Sequence, residues 1–235
     1  MNDVLEGRTI VVTGGTGALG RGVCRVLLDA GATLHIPAIE TEIPAGFEFA
    51  EHERVSVALG VDLGQEQQVS GFYAAVPRPW AAVNLAGGFS MAPVAETSLA
   101  SFEKMWTMNV VSCFLSCREA VKRMREGEGG EGGRIVNVAA RPALVPTPGM
   151  IAYATAKGAL ATMTSALAEE LADERIWVNA VAPSIIDTPA NRAAMPDADH
   201  ERWPTPECLA HMILALVSPT NLCARGSIVP VYGRA

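Results

Sequence analysis

Seven short apolar runs alternate with longer amphipathic stretches along the chain. The runs are rich in β-branched residues and apolar on both faces, which is typical of strands covered on both sides. They are Thr9–Thr13, Thr33–Ile36, Val55–Ala58, Ala81–Asn84, Arg134–Val138, Ile176–Asn179 and Ser227–Val231. Helical periodicity runs over about 18–30, 65–75, 98–125, 150–172 and 205–217. This alternation predicts an α/β fold, a doubly wound parallel sheet (Rossmann-like) with helices on both faces.

Three segments interrupt the alternation. Ala38–Arg54 is a long connection rich in Pro, Gly and Glu, and Pro183–Pro206 is a long segment with several prolines. Glu126–Gly133 is rich in glycine, but its three glutamates would repel phosphate and it precedes a strand, so we expect a surface loop. None of the three resembles a linker between domains, so residues 1–235 are predicted to form a single domain.

Composition narrows the class of protein. With 235 residues, 49% of them hydrophobic, the chain can bury a sizeable core, which excludes disorder of the whole chain. A net charge of −7 argues against nucleic acid as a partner. No apolar run is long enough to span a membrane, and the first residues do not resemble a signal peptide. Five cysteines without a CxxC pair, and scattered histidines, predict no metal site. We expect a cytoplasmic enzyme.

A glycine-rich turn joins the first predicted strand to the first predicted helix. Between Thr13 and Gly20 the sequence reads TGGTGALG, with four glycines in the seven positions from Gly14. Glycine permits a tight turn, so that backbone N–H groups and a helix N-terminus can approach a pyrophosphate. A plain turn between strand and helix rarely needs so many glycines. The segment therefore predicts nucleotide binding.

Tyr153 and Lys157 are four residues apart on a predicted helix and share one face. A free phenol has a pKa of about 10. A nearby ammonium favours the phenolate and is expected to lower that pKa, which would let Tyr153 exchange a proton during a reaction. The same spacing is common on amphipathic helices without any function, so the pair is informative only in context.

The order and spacing of several motifs resemble the short-chain dehydrogenase/reductase family over nearly the whole chain. They are the TGxxGxxG turn, Val61-Asp62-Leu63, Asn84-Leu85-Ala86-Gly87, Asn109, Tyr153-x-x-x-Lys157, and Asn179 to Ser184 with Thr188. The resemblance implies an oxidoreductase that uses NADH or NADPH on a small molecule, as a homodimer or homotetramer. It implies Tyr153, Lys157 and Asn109 as catalytic residues, with Lys157 also holding the nicotinamide ribose and Asn109 supporting a water-linked proton path. The implied cofactor-binding residues are Gly14, Thr16, Gly17, Leu19, Gly20, Asp62, Leu63, Asn84, Ala86, Gly87, Tyr153, Lys157, Pro183, Ile186 and Thr188.

The family's usual serine is missing. It most often lies 13 residues before the tyrosine, where this chain has Ala140, and no serine occurs between Ser116 and Tyr153. The lost hydroxyl would have donated a hydrogen bond to a substrate carbonyl oxygen, and such a donor contributes about 2.7–4 kcal/mol to the transition state. Thr147 is a weak candidate to replace it. Either the protein is a weakened or inactive member of the family, or its substrate does not need a hydroxyl donor to a carbonyl oxygen.

One branch of the family, the dihydropteridine reductases, also has Ala at this place. The segments Thr147–Ala159 and Asp187–Thr205 and the Gly87-Gly88-Phe89 turn resemble that branch. The resemblance implies a quinonoid dihydropterin substrate and 184–206 as the substrate-side loop. Phe89 or Trp203 could stack on a flat ring, or Trp203 could anchor the loop on the core.

Two questions stay open from the sequence. Neither an acid nor a clear arginine stands near Ala38, where cofactor preference is usually set, and Glu40 comes two residues later. Three functions compete: hydride transfer to a quinonoid dihydropteridine or similar conjugated imine or quinone, carbonyl or alcohol oxidoreduction without the serine, and nucleotide binding by a scaffold or sensor without turnover.

Overall fold

The computed structural model describes residues 3–126 and 132–235, so most of the glycine-rich turn predicted at 126–133 lies outside the described residues. Seven strands form one parallel sheet in the order β3-β2-β1-β4-β5-β6-β7. The strands are β1 (Thr9–Thr13), β2 (Thr33–Pro37), β3 (Val55–Ala58), β4 (Ala81–Asn84), β5 (Gly133–Val138), β6 (Ile176–Pro183) and β7 (Ile228–Val231). The predicted fold class is confirmed.

Helices cover both faces of this sheet. They are α1 (Ala18–Asp29), α2 (Glu66–Ala75), α3 (Leu99–Trp106), α4 (Ser112–Met124), α5 (Ile151–Glu170), α6 (Pro189–Ala194) and α7 (Pro206–Val217). On one face α1 packs over β1 and β2, α7 packs over β5 and β6, and the two helices share a core that includes Val12, Leu27 and Ile213. On the other face α2, α4 and α5 bury a second core that includes Val11 and Ile135. No described helix is both long and apolar enough to cross a bilayer.

The secondary structure of two segments differs from the prediction. The helix predicted over 98–125 is divided by a single π-helical turn, Thr107–Val111, between α3 and α4. The predicted loop Pro183–Pro206 contains α6, which starts with Pro189 after Thr188, whose hydroxyl accepts a hydrogen bond from Asn191 N. A threonine cap followed by proline is a helix-start signal that the length and proline content of the segment obscured.

The order of the strands reverses between β1 and β4, which are paired in register from Ile10↔Ala81 to Thr13↔Asn84. The chain leaves β1 towards β2 on one side and leaves β4 towards β5 on the other. The chain therefore continues in opposite directions from β1 and β4, and a crevice opens at the carboxyl ends of the strands, where open α/β sheets bind their ligands.

A buried polar network ties β4 and β5 to the helices on one face. The amide of Asn84 donates to Asn137 Oδ1 (2.9 Å), and the amide of Asn137 donates to Thr164 Oγ1 on α5 (2.9 Å). Ser116 Oγ on α4 donates to Asn84 Oδ1 (2.6 Å). All four residues are nearly inaccessible to solvent. Because each polar group has a partner, the network fixes the relative positions of these elements at little desolvation cost.

We expect Asn137→Ala to lower the free energy of unfolding by about 2–4 kcal/mol, because Asn84 and Thr164 each lose one buried hydrogen bond to its side chain. Urea unfolding measures the change. Ser165→Ala, which removes an exposed hydroxyl from the same helix α5, is the matched control and should stay within about 0.5 kcal/mol. Equal, small effects of the two substitutions would contradict the assigned role of the network.

Candidate active site

The turn after β1 is built so tightly that side chains do not fit. Gly14 has a left-handed backbone (φ +67°), and a Cβ there would lie 2.9 Å from the backbone N of Ala86. A Cβ on Gly20 would lie 2.2 Å from Gly14 O. The turn closes on itself through a hydrogen bond from Gly17 N to Gly14 O (3.1 Å). Glycine is therefore needed here for two close backbone approaches and for one positive φ.

A cleft of about 400 Å³ lies over this turn. Gly17 caps α1 without any side-chain hydrogen bond, so N–H groups in the first turn of the helix stay available to a ligand. Backbone donors and a helix N-terminus suit a pyrophosphate, and the cleft thus fits the predicted NAD(P). Nine predicted cofactor-binding residues line it: Gly14, Thr16, Gly17, Leu19, Gly20, Asp62, Leu63, Ala86 and Gly87.

Other lining residues were not among the predicted cofactor-binding residues, although Ala38 and Glu40 were considered for cofactor preference. They are Ala18, Pro37, Ala38, Ile39, Glu40, Val61, Gly64, Leu85, Thr107, Met108 and Ser112. Several follow β2, β3 and β4 directly, so their position at the carboxyl ends of parallel strands was the signal that could have found them. Asn84, in contrast, was predicted to bind cofactor but does not line the cleft. Its side chain belongs to the buried network.

Lys157 and Asn109 lie beside Gly87, which lines the cleft, although neither of the two is itself a lining residue. A Cβ on Gly87 would lie 2.5 Å from Asn109 Oδ1 and 3.4 Å from Lys157 Nζ. Asn109 is fully buried on the π-helical turn, where its amide donates to Gly88 O (3.1 Å) and Met105 O (2.9 Å). The ammonium of Lys157 donates to Val138 O at the end of β5 (2.8 Å). Asn109 thus fixes the Gly87-Gly88 turn against which Lys157 packs.

Tyr153 lies one turn before Lys157 on α5, and the Lys157 Nζ is 5.8 Å from the centre of its ring. The ring of Phe89 meets that of Tyr153 edge to face, with centroids 5.0 Å apart. Phe89 itself is 59% exposed, so much of its ring is free to contact a substrate. The structure therefore brings Tyr153, Lys157 and Asn109 together next to Gly87, with Phe89 beside Tyr153, but none of the three predicted catalytic residues lines the cleft itself.

The expected lowering of the Tyr153 pKa by Lys157 is wrong for this structure. Burial raises the pKa of Tyr153 to about 12. Burial also lowers the pKa of Lys157 to about 8. Desolvation determines the pKa of Tyr153 because the ammonium of Lys157 donates its hydrogen bond to the Val138 carbonyl and not to the phenol oxygen. At neutral pH the site consequently holds a protonated phenol and a lysine that is still mostly charged.

Ala140 is buried just after β5, where it precedes the turn Arg141–Ala143, and its own side chain offers no hydroxyl. Thr147 Oγ1 donates to Val145 O within its own loop (3.3 Å). In the 184–206 segment Trp203 is 7% exposed, and its ring packs against that of His200 in the same segment. Of the two aromatic residues considered for stacking, Phe89 is the accessible one.

Pro183 is the last residue of β6, Ile186 and Thr188 follow it, and none of the three lines the cleft. Thr188 is buried, and its hydroxyl caps α6. The carbonyl of Ile186 accepts a hydrogen bond from the side chain of Asn191 (2.8 Å), which fixes the start of the segment. Their predicted contacts with the cofactor remain predictions.

Comparisons with known proteins identify the class. The profile of the family described as short chain dehydrogenase matches residues 8–199, so the chain belongs to the short-chain dehydrogenase/reductase family. The prediction of an NAD(P)-dependent oxidoreductase is thereby confirmed. The finer likeness to dihydropteridine reductases stays a prediction.

Individual relatives agree with this assignment. Cyclopentanol dehydrogenase of Comamonas sp. (strain NCIMB 9872) is 31% identical over 242 residues, which cover 96% of each chain. The uncharacterized oxidoreductase YgfF of Escherichia coli (strain K12) is 35% identical over 188 residues, 76% of each chain. A solved short chain dehydrogenase/reductase family protein superimposes with a TM-score of 0.88 at 28% identity and covers 97% of both chains.

Glu40 and Asp62 are the charged side chains among the described residues that line the cleft, and both are acidic. We expect a preference for NADH of at least about tenfold in kcat/KM, because a carboxylate would repel the extra phosphate of NADPH. Glu40→Gln should reduce that preference, as measured by steady-state kinetics with either cofactor. Glu42→Gln removes an exposed carboxylate that does not line the cleft and should change little. An unchanged preference in Glu40→Gln would contradict the assignment.

The buried Lys157 ammonium predicts a pH-dependent stability. Its pKa falls from 10.5 to about 8 on folding, so between these pH values the unfolded chain binds more protons, and stability rises with pH. Below pH 8 the full cost of burial remains. Relative to wild type, Lys157→Met should therefore be most stabilised near pH 7 and lose that advantage as the pH approaches 10.5. Thermal melting at several pH values measures this, with the exposed Lys104→Met as control. If the difference in melting temperature between wild type and Lys157→Met does not depend on pH, the lowered pKa of Lys157 is refuted.

Proposed function

We propose that the protein is a reductase for planar conjugated acceptors, of which a quinonoid dihydropteridine, a conjugated imine and a quinone are examples. When bound, NADH or NADPH supplies the hydride. The observation that carries the proposal is Ala140. A carbonyl substrate would meet no serine hydroxyl at this position, and the hydroxyl of Thr147 donates to Val145 O within its own loop. An acceptor whose charge is spread over a conjugated ring depends less on such a donor.

The chain's own residues have distinct roles in this proposal. The glycine turn and the start of α1 hold the pyrophosphate, and Lys157 holds the nicotinamide ribose from its position beside Gly87. Tyr153 donates its phenolic proton to the acceptor as hydride arrives. A Tyr153 pKa of about 12 keeps the phenol protonated at neutral pH, which favours reduction over oxidation. The exposed ring of Phe89 provides an apolar surface for a flat substrate.

A second candidate is a carbonyl or alcohol oxidoreductase. The observation that favours it is the 31% identity to cyclopentanol dehydrogenase over 96% of the chain. In this case a water molecule or a backbone N–H near Ala140 would provide the donor to the carbonyl oxygen.

The family resemblance also implies self-association. Leu99, Phe114 and Ile151, on α3, α4 and α5, are 72%, 47% and 46% exposed, which is typical of apolar side chains that meet a second subunit. We include a homodimer or homotetramer, and a cytoplasmic location, in the proposal. Light scattering of the purified protein measures the oligomeric state, and a monomer would contradict it.

The deciding experiment compares NADH and NADPH oxidation with quinonoid dihydropterin, quinones and a ketone panel. We expect turnover of the conjugated acceptors and weak reduction of ketones. Ala140→Ser should raise ketone reduction by at least about tenfold, since it restores an oxyanion donor, and should alter reduction of the dihydropterin little. Tyr153→Phe should abolish turnover while cofactor binding, followed by NADH fluorescence, persists.

The outcomes separate the two candidates. Brisk ketone reduction by the wild-type protein, with no turnover of dihydropterin or quinones, would replace the proposal by the second candidate. Turnover that survives Tyr153→Phe would refute the role of Tyr153 in both.

A further inference from the structure

Arg141 follows Ala140 directly and begins the short turn Arg141–Ala143 after β5. It is half-buried, and its guanidinium lies 5.3 Å from the centre of the Tyr232 ring. Within residues 3–126 and 132–235 this guanidinium donates no hydrogen bond and forms no ion pair. A partly desolvated guanidinium has five N–H donors, so it is a ready binding group for an acceptor from outside the chain.

Neighbouring arginines show how the fold normally satisfies such a group. Arg134, at the opposite end of β5, donates to Gly133 O (2.8 Å) and Asn221 O (2.6 Å). Arg202, on the substrate-side loop, donates to Arg234 O (2.9 and 2.7 Å). Arg141 has a ring contact instead, which orients the side chain but leaves its N–H groups unused.

Tyr232 places this group at the active-site edge of the sheet. It follows β7, and its carbonyl accepts a hydrogen bond from Ser184 Oγ (2.9 Å), at the start of the 184–206 segment. The carboxyl ends of β5, β6 and β7 are adjacent because these strands pair in parallel. Helix α5, which carries Tyr153, packs on the turn that Arg141 begins. The Tyr232 hydroxyl also has no hydrogen-bond partner among the described residues.

We propose that Arg141 binds a carboxylate of the substrate, so that the natural acceptor is an anionic molecule. A guanidinium matches a carboxylate with two parallel hydrogen bonds, and this pairing is strong where water is partly excluded. The inference rests on the proposed function, since it assigns an additional substrate contact to the same site. It also fits the acceptor's position, because Arg141 is next to the residue that replaces the serine.

The test uses matched acids and esters with the full-length protein. The acceptors are a naphthoquinone that carries a carboxylate, its methyl ester, and a ketone pair of the same kind. We expect kcat/KM for each acid to exceed that for its ester by about 10- to 100-fold, the range for hydrogen bonds to charged groups. Arg141→Met should remove this preference and leave the ester within about threefold of wild type. Arg141→Lys should retain part of it, because the charge remains without the paired donors.

Arg225→Met is the matched control, since it removes the same charge near the opposite edge of the sheet, where Arg225 pairs with Glu169. It should keep the full preference for the acid. Equal use of acid and ester by wild type, or an equal loss for both in Arg141→Met, would overturn the inference while leaving the proposed function intact. Melting temperatures and NADH binding show whether each variant is folded.

Calorimetry measures substrate binding without turnover, and it therefore tests the carboxylate site separately from the proposed function. Acid and ester are titrated into the protein loaded with NAD⁺, with wild type and Arg141→Lys as the folded pair if Arg141→Met does not fold. Tighter binding of the acid, weakened in the Arg141 variant, supports the carboxylate site even when no acceptor is reduced, in which case only the proposed function fails. Equal affinity for acid and ester refutes the site.

Discussion

The close approach of two backbone segments, where β1 and β4 lie side by side, determines the architecture of the site. At Gly14 even a Cβ would come within 2.9 Å of Ala86 N, so the loop after β1 and the loop after β4 can meet only through glycine. This contact joins the turn that faces the pyrophosphate to the segment that carries Gly87 and Gly88. Gly87 in turn packs against Asn109 and Lys157. A displacement of the backbone at Gly14 would therefore also shift these two side chains. Sheet topology and catalytic geometry thus depend on the same contact.

The second constraint is electrostatic. A lysine buried beside the cleft weakens the fold at neutral pH, because its charged form loses hydration on folding. The fold compensates by presenting Val138 O to the ammonium, and the position of Val138 follows from the preceding Asn137, which links β4, β5 and α5. The polar network therefore does more than satisfy its own members. It holds the strand end to which the charged group is bound, and this explains why so many polar atoms are tolerated inside an apolar layer.

Periodicity predicted the fold well, because strands buried on both faces and helices with one apolar face have distinct patterns. Runs such as Thr9–Thr13 and Val55–Ala58 match the observed strands at both ends. The site was predicted where motif and strand end coincide, as at Gly14 and Asp62. It was missed where a residue reaches the cleft only through tertiary packing, as for Thr107 and Met108. The predicted lowering of the Tyr153 pKa was wrong for a related reason. Spacing on a helix shows that two groups share a face, but desolvation and the direction of the ammonium are properties of the packed protein.

Ala140 and Arg141 together change what the end of β5 can recognise. A serine hydroxyl is a neutral donor aimed at one developing oxyanion, and its loss removes stabilisation specific to the transition state. A guanidinium one residue later, held on Tyr232, offers charge and paired donors to a group that is already ionised before reaction. Such a contact acts on ground state and transition state alike, so it selects and orients the substrate more than it accelerates the chemistry. In the function that we propose, the rate acceleration then comes from Tyr153 and from the acceptor's own conjugation, as expected for a substrate that accepts hydride readily.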